Sequence, residues 1–425
     1  MNIIEIIRKK RDGGTLSSAE VGFLVRGIAN RAVEDSQVGA FLMAACLRGL
    51  SNEETSALAL AMAESGDMLD LSSIPDTVDK HSTGGVGDKT TLVVAPLVAA
   101  AGVPVPKLSG RALGHTSGTI DRLESIRGLR TDLETDEFIA QVKEIGVAIG
   151  GQTARLVPAD KRMYALRDKT ATVDVIPLIA ASVMSKKLAG GAANILLDVK
   201  CGQGAFVRDL SQAKQLAETM VQIGRAAGQH TRALVTAMNQ PLGNAVGEGL
   251  EMWEAIHTLQ GEGPEDFLEL CLLVGSHMVH LGGKGKSPET ARDLLERLLR
   301  SGGAREKFRQ MVAAQGGAAE ILEEPDSLAQ ARHRVEARAS ASGYIQEIDA
   351  RVIAEVARSL VSNHTGGILL KHKVGEQVVE GDTMALLLSD ASEELDEGRA
   401  KVEATYVIGD KPPQSAPLLL CPPID

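Results

Sequence analysis

Two glycine-rich loops with one short apolar helix between them, spanning residues 78–121, constrain this chain more than any other stretch. The first reads Asp79-Lys80-His81-Ser82-Thr83-Gly84-Gly85-Val86-Gly87-Asp88-Lys89-Thr90-Thr91 and runs into an apolar segment from Leu92. Glycine lets backbone approach an anion closely, the following helix offers unpaired N–H groups and a positive dipole end, and Lys80 adds a full charge. The second loop, Lys107-Leu108-Ser109-Gly110-Arg111-Ala112-Leu113-Gly114-His115-Thr116-Ser117-Gly118-Thr119, repeats that composition and adds the hydroxyls of Ser109 and Thr119. Two such loops can close around one phosphate. The common nucleotide motifs do not fit: Asp88 separates Gly87 from Lys89 where a Walker A loop needs them adjacent, and Thr90 stands where a dinucleotide fingerprint begun at Gly85 needs glycine. Gly285-Lys286-Ser287 imitates a Walker A ending, but His280 replaces the required first glycine, which leaves a surface turn.

A chain of 425 residues buries a sizeable core and holds two or three domains. A net charge of −11 and few aromatics argue against nucleic-acid binding, because neither a phosphate-neutralising patch nor stacking platforms are present. Cys46, Cys201, Cys271 and Cys421 lack CxxC spacing, as expected of reduced thiols in a cytoplasmic protein, and imply no metal site. The start has its basic cluster after the apolar residues, unlike a signal peptide, and the apolar run 92–103 is too short to span a bilayer.

Residues 1–66 read as amphipathic helices, with Ser18 ahead of Val21, Leu24, Val25 and Ile28 as one cap and Ser51 ahead of Glu54 as another; the segment 38–47 suits either packing or a subunit contact. From Pro75 short apolar runs separated by Gly, Pro and Asp predict α/β structure. The chain turns helical again after Pro158. The expected fold is therefore α/β with a discontinuous all-α domain: residues 1–66 and 158–190 form the helical domain, and residues 75–150 and 193–330 a mixed-sheet α/β domain. Residues 331–425 form a C-terminal α+β domain, whose segment 366–382 has the spacing of a lipoyl-like hammerhead without a carrier lysine.

Candidate chemistry lies in two places. Tyr164 and Arg167 are three apart, and Ser182 and Lys186 four apart, so each pair shares a helix face; a guanidinium, an ammonium and a hydroxyl suit a flat ring bearing carbonyl and imide groups. By spacing alone a solvated, salt-bridged surface with Asp160, Lys161, Arg162 and Asp168 is the stronger reading. His81 is either held within its tight loop or acts on a ligand there. Arg111 and His115 read as structural supports of the second loop, and Asp198 with Lys200 as a paired brace on the buried strand 195–200.

The motifs Asp79–Asp88, Ser109-Gly110-Arg111, Gly114-His115-Thr116, Pro158-Ala159-Asp160-Lys161, Tyr164-Ala165-Leu166-Arg167-Asp168 and Ser185-Lys186-Lys187-Leu188 together resemble the signature of the thymidine and pyrimidine-nucleoside phosphorylases. That resemblance implies phosphate binding by Lys80, Ser82, Thr91, Ser109 and Thr119, pyrimidine binding by Tyr164, Arg167, Ser182 and Lys186, and His81 as proton donor. It implies a homodimer acting on a pyrimidine nucleoside and phosphate, with no cofactor and with the helical domain on the pyrimidine side. Lys107 stands where enzymes of broad specificity carry lysine and strict thymidine enzymes methionine. The family's K⁺ site maps to Gly87, Leu242, Ala245 and Glu254, with Lys89 in place of a threonine, so its ammonium is expected to replace the cation. Ala112 and Ser117 depart from family glycines, where a Cβ crowds the backbone or forbids positive φ. Two other functions compete: a phosphoribosyltransferase of related architecture, which needs Mg²⁺-bound diphosphate, and a non-catalytic nucleoside-binding regulatory protein.

Overall fold

The structure, a computed structural model, describes residues 1–112, 117–153, 155–414 and 416–425. Four helices open it: α1 (Ile3–Arg11), α2 (Ser18–Ala29), α3 (Asp35–Arg48) and α4 (Asn52–Ala63). Their starts follow from side-chain caps. Ser51 and Glu54 form the expected capping box, but on α2 the cap is Ser17, not Ser18. The reason is the partner three residues on: Glu20 receives the Ser17 N–H at 2.7 Å and returns its own N–H to the Ser17 hydroxyl.

The next strands are β1 (Val78–Ser82), β2 (Val105–Ser109), β3 (Val147–Gly151), β4 (Asn194–Cys201) and β5 (His230–Ala237). Strands β1, β4 and β5 form one parallel sheet in that order, with Lys80 opposite Leu196 and Ser82 opposite Asp198, and β2 pairs in parallel with β3. Every residue of β4 is buried, as a strand covered on both faces requires. Ile195, Leu197 and Val199 belong to one core cluster with Leu58, Met184 and Leu216 of the helices, while Leu196 belongs to another with Leu92, Phe267 and Val274. The sheet is mixed because the tail returns antiparallel to β5, with Leu420 donating to Val235 at 2.9 Å and Ala233 to Ile424 at 2.8 Å.

Helices α5 (Thr90–Ala100), α6 (Thr119–Leu123), α7 (Thr135–Ile145), α8 (Pro158–Lys169), α9 (Ile176–Ala189) and α10 (Leu210–Ala226) connect these strands. Helices α8 and α9 pack against α2 and α4, so the later helical segment joins the first four. The chain crosses between the helices and the sheet at residues 65–69, 155–158 and 189–191, and the crossings run side by side: Asp67 donates to the Arg155 carbonyl at 3.0 Å and Leu69 to that of Ala189 at 2.9 Å. Gly191 is required there, since its φ is +71° and a Cβ would lie 2.1 Å from the Leu69 carbonyl oxygen. Val157, β-branched and buried, adopts φ +51° just before α8.

The strand β6 (Ala245–Val246) joins a sheet of the C-terminal part. That part contains β7 (His333–Arg338), β8 (Gly343–Ile348), β9 (Gly367–Leu370), β10 (Gln377–Val378), β11 (Thr383–Ser389) and β12 (Tyr406–Gly409), in the orders β6-β9-β11-β7 and β10-β8-β12. No described helix is long and apolar enough to cross a membrane.

One buried ion pair ties the first helices together. The Lys10 ammonium lies 2.8 Å from both carboxylate oxygens of Glu54, which also accept the backbone N–H groups of Leu16 and Ser51. Removing one partner of a buried pair leaves an uncompensated charge at a cost of about 3–5 kcal/mol. Glu54→Ala is therefore expected to lower the unfolding free energy obtained from a urea titration of the helical signal by that much, and a change below about 1 kcal/mol, the range of an exposed pair, would contradict the burial.

Candidate active site

The parallel strands β1, β4 and β5 end at the same edge of the sheet, where open α/β sheets present ligand crevices. From Ser82 the chain forms a loop, residues 83–89, and enters α5 at Thr90, so Thr90 and Thr91 offer first-turn N–H groups beside the glycines. Gly87 has φ +72°, and a Cβ there would lie 2.6 Å from the Leu242 carbonyl oxygen. Lys80 points its ammonium into this edge with 2% exposure; it lies 3.6 Å from Asp198 and has no hydrogen-bond partner among the described residues. An ammonium taken out of water with unmet donors is costly unless an anion joins it.

Around Lys80 the charges are braced. Lys200 lies 2.7 Å from Asp198, which accepts the Thr236 hydroxyl at 2.7 Å, so the pair is the brace its strand spacing suggested. Burial works to raise the Asp88 carboxyl, but Lys80, Lys200 and hydrogen bonds from Ser82 and Thr90 outweigh it and hold the group well below the usual carboxylate range. Ser82 donates to Asp88 and accepts from the Gly84 N–H at 3.2 Å, so its hydroxyl proton is committed to the loop. Ser109 ends β2 and Thr119 begins α6.

Asp121 closes the feet of the second loop by accepting the N–H groups of Ala112 at 2.6 Å and Gly118 at 3.1 Å, while Arg111 pairs with Asp121 and Glu124. Ala112 does not adopt a positive φ, so its Cβ does not meet a left-handed backbone, and Ser117 follows directly on residues outside the described ones. His115, with residues 113–116, lies outside the described residues.

On the helical side, the Lys186 ammonium contacts the Ser182 carbonyl and hydroxyl, each at 3.0 Å, and pairs with Asp160. Arg167 lies 5.6 Å from the Tyr164 ring centre and donates to the carbonyls of Thr172, Val173 and Leu178, fixing the turn between α8 and α9. Burial lowers the Arg167 guanidinium and raises the Tyr164 phenol. The four side chains are partly or fully buried on adjoining helices, which differs from the exposed, salt-bridged face that spacing alone favoured.

A cluster that spacing did not reveal lies between the two sides. Lys187 reaches Asp79 at 2.6 Å and the Leu108 carbonyl at 3.1 Å, and Lys107 lies 3.8 Å from the same carboxylate. The Lys107 ammonium is thus buried against Asp79, and burial with the adjacent Lys187 pushes it well below the usual lysine value. The available signals were the Asp79-Lys80 pair and the Lys186-Lys187 pair, of which only Lys80 and Lys186 were given a role. His81, partly buried beside these groups, is pushed well below the usual histidine value by burial first and then by Lys187, Lys107, Lys186 and Lys80. Charges from β1, β2 and α9 therefore act on one imidazole.

The residues at the position of the family's K⁺ site surround an ammonium. Lys89, fully buried, donates to the carbonyls of Leu242 at 2.7 Å and Ala245 at 3.1 Å, lies 2.5 Å from Glu254, and sits 5.0 Å from the Phe267 ring centre. Gly87 packs directly on Leu242. With that charge and three donors already in place, the residues do not fit an additional cation.

Comparison with known proteins identifies the family and the fold. The family model described as glycosyl transferase family, a/b domain, matches residues 74–305, and that described as glycosyl transferase family, helical bundle domain, matches residues 4–66. A pyrimidine-nucleoside phosphorylase of Geobacillus stearothermophilus is 47% identical over 429 aligned positions covering 99% of each chain. One from Staphylococcus aureus strain USA300 is 46% identical, covering 96% of this chain and 97% of its own. Among solved structures, anthranilate phosphoribosyltransferase from Thermus thermophilus shares the fold at 21% identity with a TM-score of 0.60, over 73% of this chain and 99% of its own.

The depressed His81 has a direct readout. A histidine whose folded value lies below its unfolded one stays neutral through pH 6–8, and between the two values the unfolded chain binds more protons, so stability rises with pH there. The His81 imidazole is expected to show no chemical-shift titration between about pH 6 and 8. A midpoint near the ordinary histidine value would remove the lysine cage from the account.

Proposed function

The chain belongs to the pyrimidine-nucleoside phosphorylases, a glycosyl transferase family, and from that membership we propose how its residues share the conversion of a pyrimidine (deoxy)nucleoside and phosphate into free base and α-(deoxy)ribose 1-phosphate. The observation that carries the assignment is Lys80, a buried ammonium without a hydrogen-bond partner among the described residues at the glycine loop. Phosphate held by Lys80, Thr91, Ser109, Thr119 and the loop N–H groups attacks C1′ on the face opposite the base. The C1′–N1 bond breaks, its electron pair leaves with the pyrimidine, and the configuration inverts. Lys186 and Arg167, beside Tyr164 and Ser182, stabilise the charge developing on the base. His81, held well below the usual histidine value, offers the departing pyrimidine a hydrogen bond from its imidazole N–H, and the base anion takes its proton from solvent.

The two sets sit on segments assigned to different domains, so closing at residues 65–69, 155–158 and 189–191 brings the reactants together. Lys107, beneath His81, is consistent with cleavage of both uridine and thymidine. Uridine and thymidine should release base only when phosphate is supplied. Lys80→Ala should raise the phosphate KM, and Lys186→Ala should lower kcat on the order of a hundredfold with an unchanged circular dichroism spectrum. Base release without phosphate, or losses below about tenfold in both variants, would point to hydrolysis or to the regulatory alternative.

We further propose that activity does not depend on K⁺, because the Lys89 ammonium supplies the charge within the cage of Leu242, Ala245 and Glu254. Exchanging K⁺ for a bulky organic cation at constant ionic strength should leave the rate unchanged, and Lys89→Thr should create a K⁺ requirement. Loss of activity in the unmodified protein on that exchange would restore a metal to the site.

The homodimer rests on an apolar face: Ile4 on α1 is 55% exposed, and Met43 and Leu47 on α3 are 38% and 74% exposed. These exposed side chains stand on two helices that pack against each other. The four cysteines are free, in keeping with a cytoplasmic location. Leu47→Glu should convert the dimer into monomers by light scattering, and an unaltered mass would reject this face.

A further inference from the structure

The floor of the phosphate loop is the segment 240–246, and almost nothing in that segment is held by its own backbone. Its contact with the loop is close: Leu242 donates to the Val86 carbonyl at 3.0 Å, Gly87 packs on Leu242, and Lys89 binds the carbonyls of Leu242 and Ala245. Glu254 fixes the same strip by accepting the N–H groups of Asn244 at 2.9 Å and Ala245 at 3.0 Å.

The remaining carbonyls face the other way. The Lys373 ammonium, on the turn between β9 and β10, donates to the Pro241 carbonyl at 2.5 Å and the Gly243 carbonyl at 2.6 Å. Its third partner is Asp266 at 3.0 Å, which also accepts the Gly243 N–H at 3.2 Å. Leu370 donates to the Asn244 carbonyl at 2.8 Å, and Val374 donates to the Gln240 side chain at 2.9 Å. Strand β6 continues the strip into the C-terminal sheet, with Ala245 opposite Leu369 and Val246 opposite Ile368. Five successive carbonyls, from Pro241 to Ala245, are thus taken in turn by Lys373, Lys89, Lys373, Leu370 and Lys89. One lysine belongs to the phosphate loop and the other to the C-terminal part, and they grip one strip from opposite sides.

We propose that Lys373 is a positioning residue for phosphate: the turn 371–376 holds segment 241–245, and that segment holds Gly87 and Lys89, so the C-terminal part sets the shape of the anion loop. The proposal rests on the reading that phosphate binds the loop 83–89. Charge and geometry explain why a lysine is used. Two carbonyls and a carboxylate around one ammonium form a charge-assisted junction. Removing the ammonium leaves the Pro241 and Gly243 carbonyls with no donor at a site where Lys373 is 13% exposed. The strip then relaxes toward water, and the first part of the site to feel it is Gly87, whose fit to Leu242 leaves no slack. The base-binding helices α8 and α9 make no contact with this strip through any of the bonds named above.

The test is steady-state kinetics of Lys373→Met and Lys373→Arg, varying phosphate and nucleoside separately, at a temperature below the unfolding midpoint of each variant. Lys373→Met should raise the phosphate KM at least about tenfold, the loss of a hydrogen bond to a charged group, while the nucleoside KM stays within about twofold. Lys373→Arg, which restores charge and donors, should recover part of that loss. Should Lys373→Met fail to fold, Gln240→Ala, which removes only the acceptor of the Val374 N–H, should raise the phosphate KM alone by a smaller factor. Equal changes in both KM values, or none, in the variant measured would overturn the proposal. Lys80→Ala in the same assay separates the two levels: if it raises the phosphate KM and the Lys373 or Gln240 variants do not, the loop assignment stands and the clamp fails, whereas no effect of Lys80→Ala would remove the loop assignment itself.

Discussion

The arrangement turns on a buried lysine at the end of a parallel strand. Lys80 sits beneath the glycine loop, 3.6 Å from Asp198, with Lys200 taking most of that carboxylate at 2.7 Å. Asp88, the Ser82 and Thr90 hydroxyls and the Thr236 hydroxyl complete the brace. Lys80 and Lys200 balance Asp88 and Asp198 in charge, but Lys80 retains unmet donors among the described residues. Beside them Lys107 and Lys187 share Asp79 alone, which leaves an excess of positive charge close to His81. Burial of that kind is costly for a fold and useful to a site that receives a phosphate anion.

The same constraint explains the surroundings. A loop that presents N–H groups to an anion cannot also be stabilised by its own ladder, so its support comes from elsewhere: the Asp88 cap below, the Lys89 ammonium behind, and segment 241–245 as a floor. Each support uses a charged side chain against carbonyls or hydroxyls, since apolar packing cannot satisfy a bare backbone. The helical side follows a different logic. Tyr164, Arg167, Ser182 and Lys186 stand on regular helices whose apolar faces already pack against α2 and α4, so their polar ends are free to be arranged by Asp160 and the turn 172–178.

Much of this was legible in the sequence because the signals were local. The glycine loop, the buried strand 195–200 with its Asp198–Lys200 brace, the Ser51 cap and the pairing of Ser182 with Lys186 all follow from spacings of a few residues. The all-helical start and the mixed-sheet α/β part followed from periodicity. What escaped depends on long separations: Lys187 meets Asp79 across 108 positions, Lys373 meets Gly243 across 130, and the tail residue Leu420 returns to Val235. A buried strand gives no hint of which distant charge will oppose each of its own. Proximity also misled: spacing favoured an exposed, salt-bridged face for Tyr164, Arg167, Ser182 and Lys186, and of the adjacent Ser17 and Ser18 only the position of Glu20 marks Ser17 as the cap.

On this mechanism phosphate held beside Lys80 is the nucleophile at C1′. Incubating the protein with thymidine and fully ¹⁸O-labelled phosphate, and following the products by ³¹P and ¹H nuclear magnetic resonance, tests this at the level of bonds. The account predicts free thymine and an α-deoxyribose 1-phosphate that retains every labelled oxygen, one of them bridging carbon and phosphorus. Free deoxyribose, a β-anomer, or loss of a label to water would contradict it.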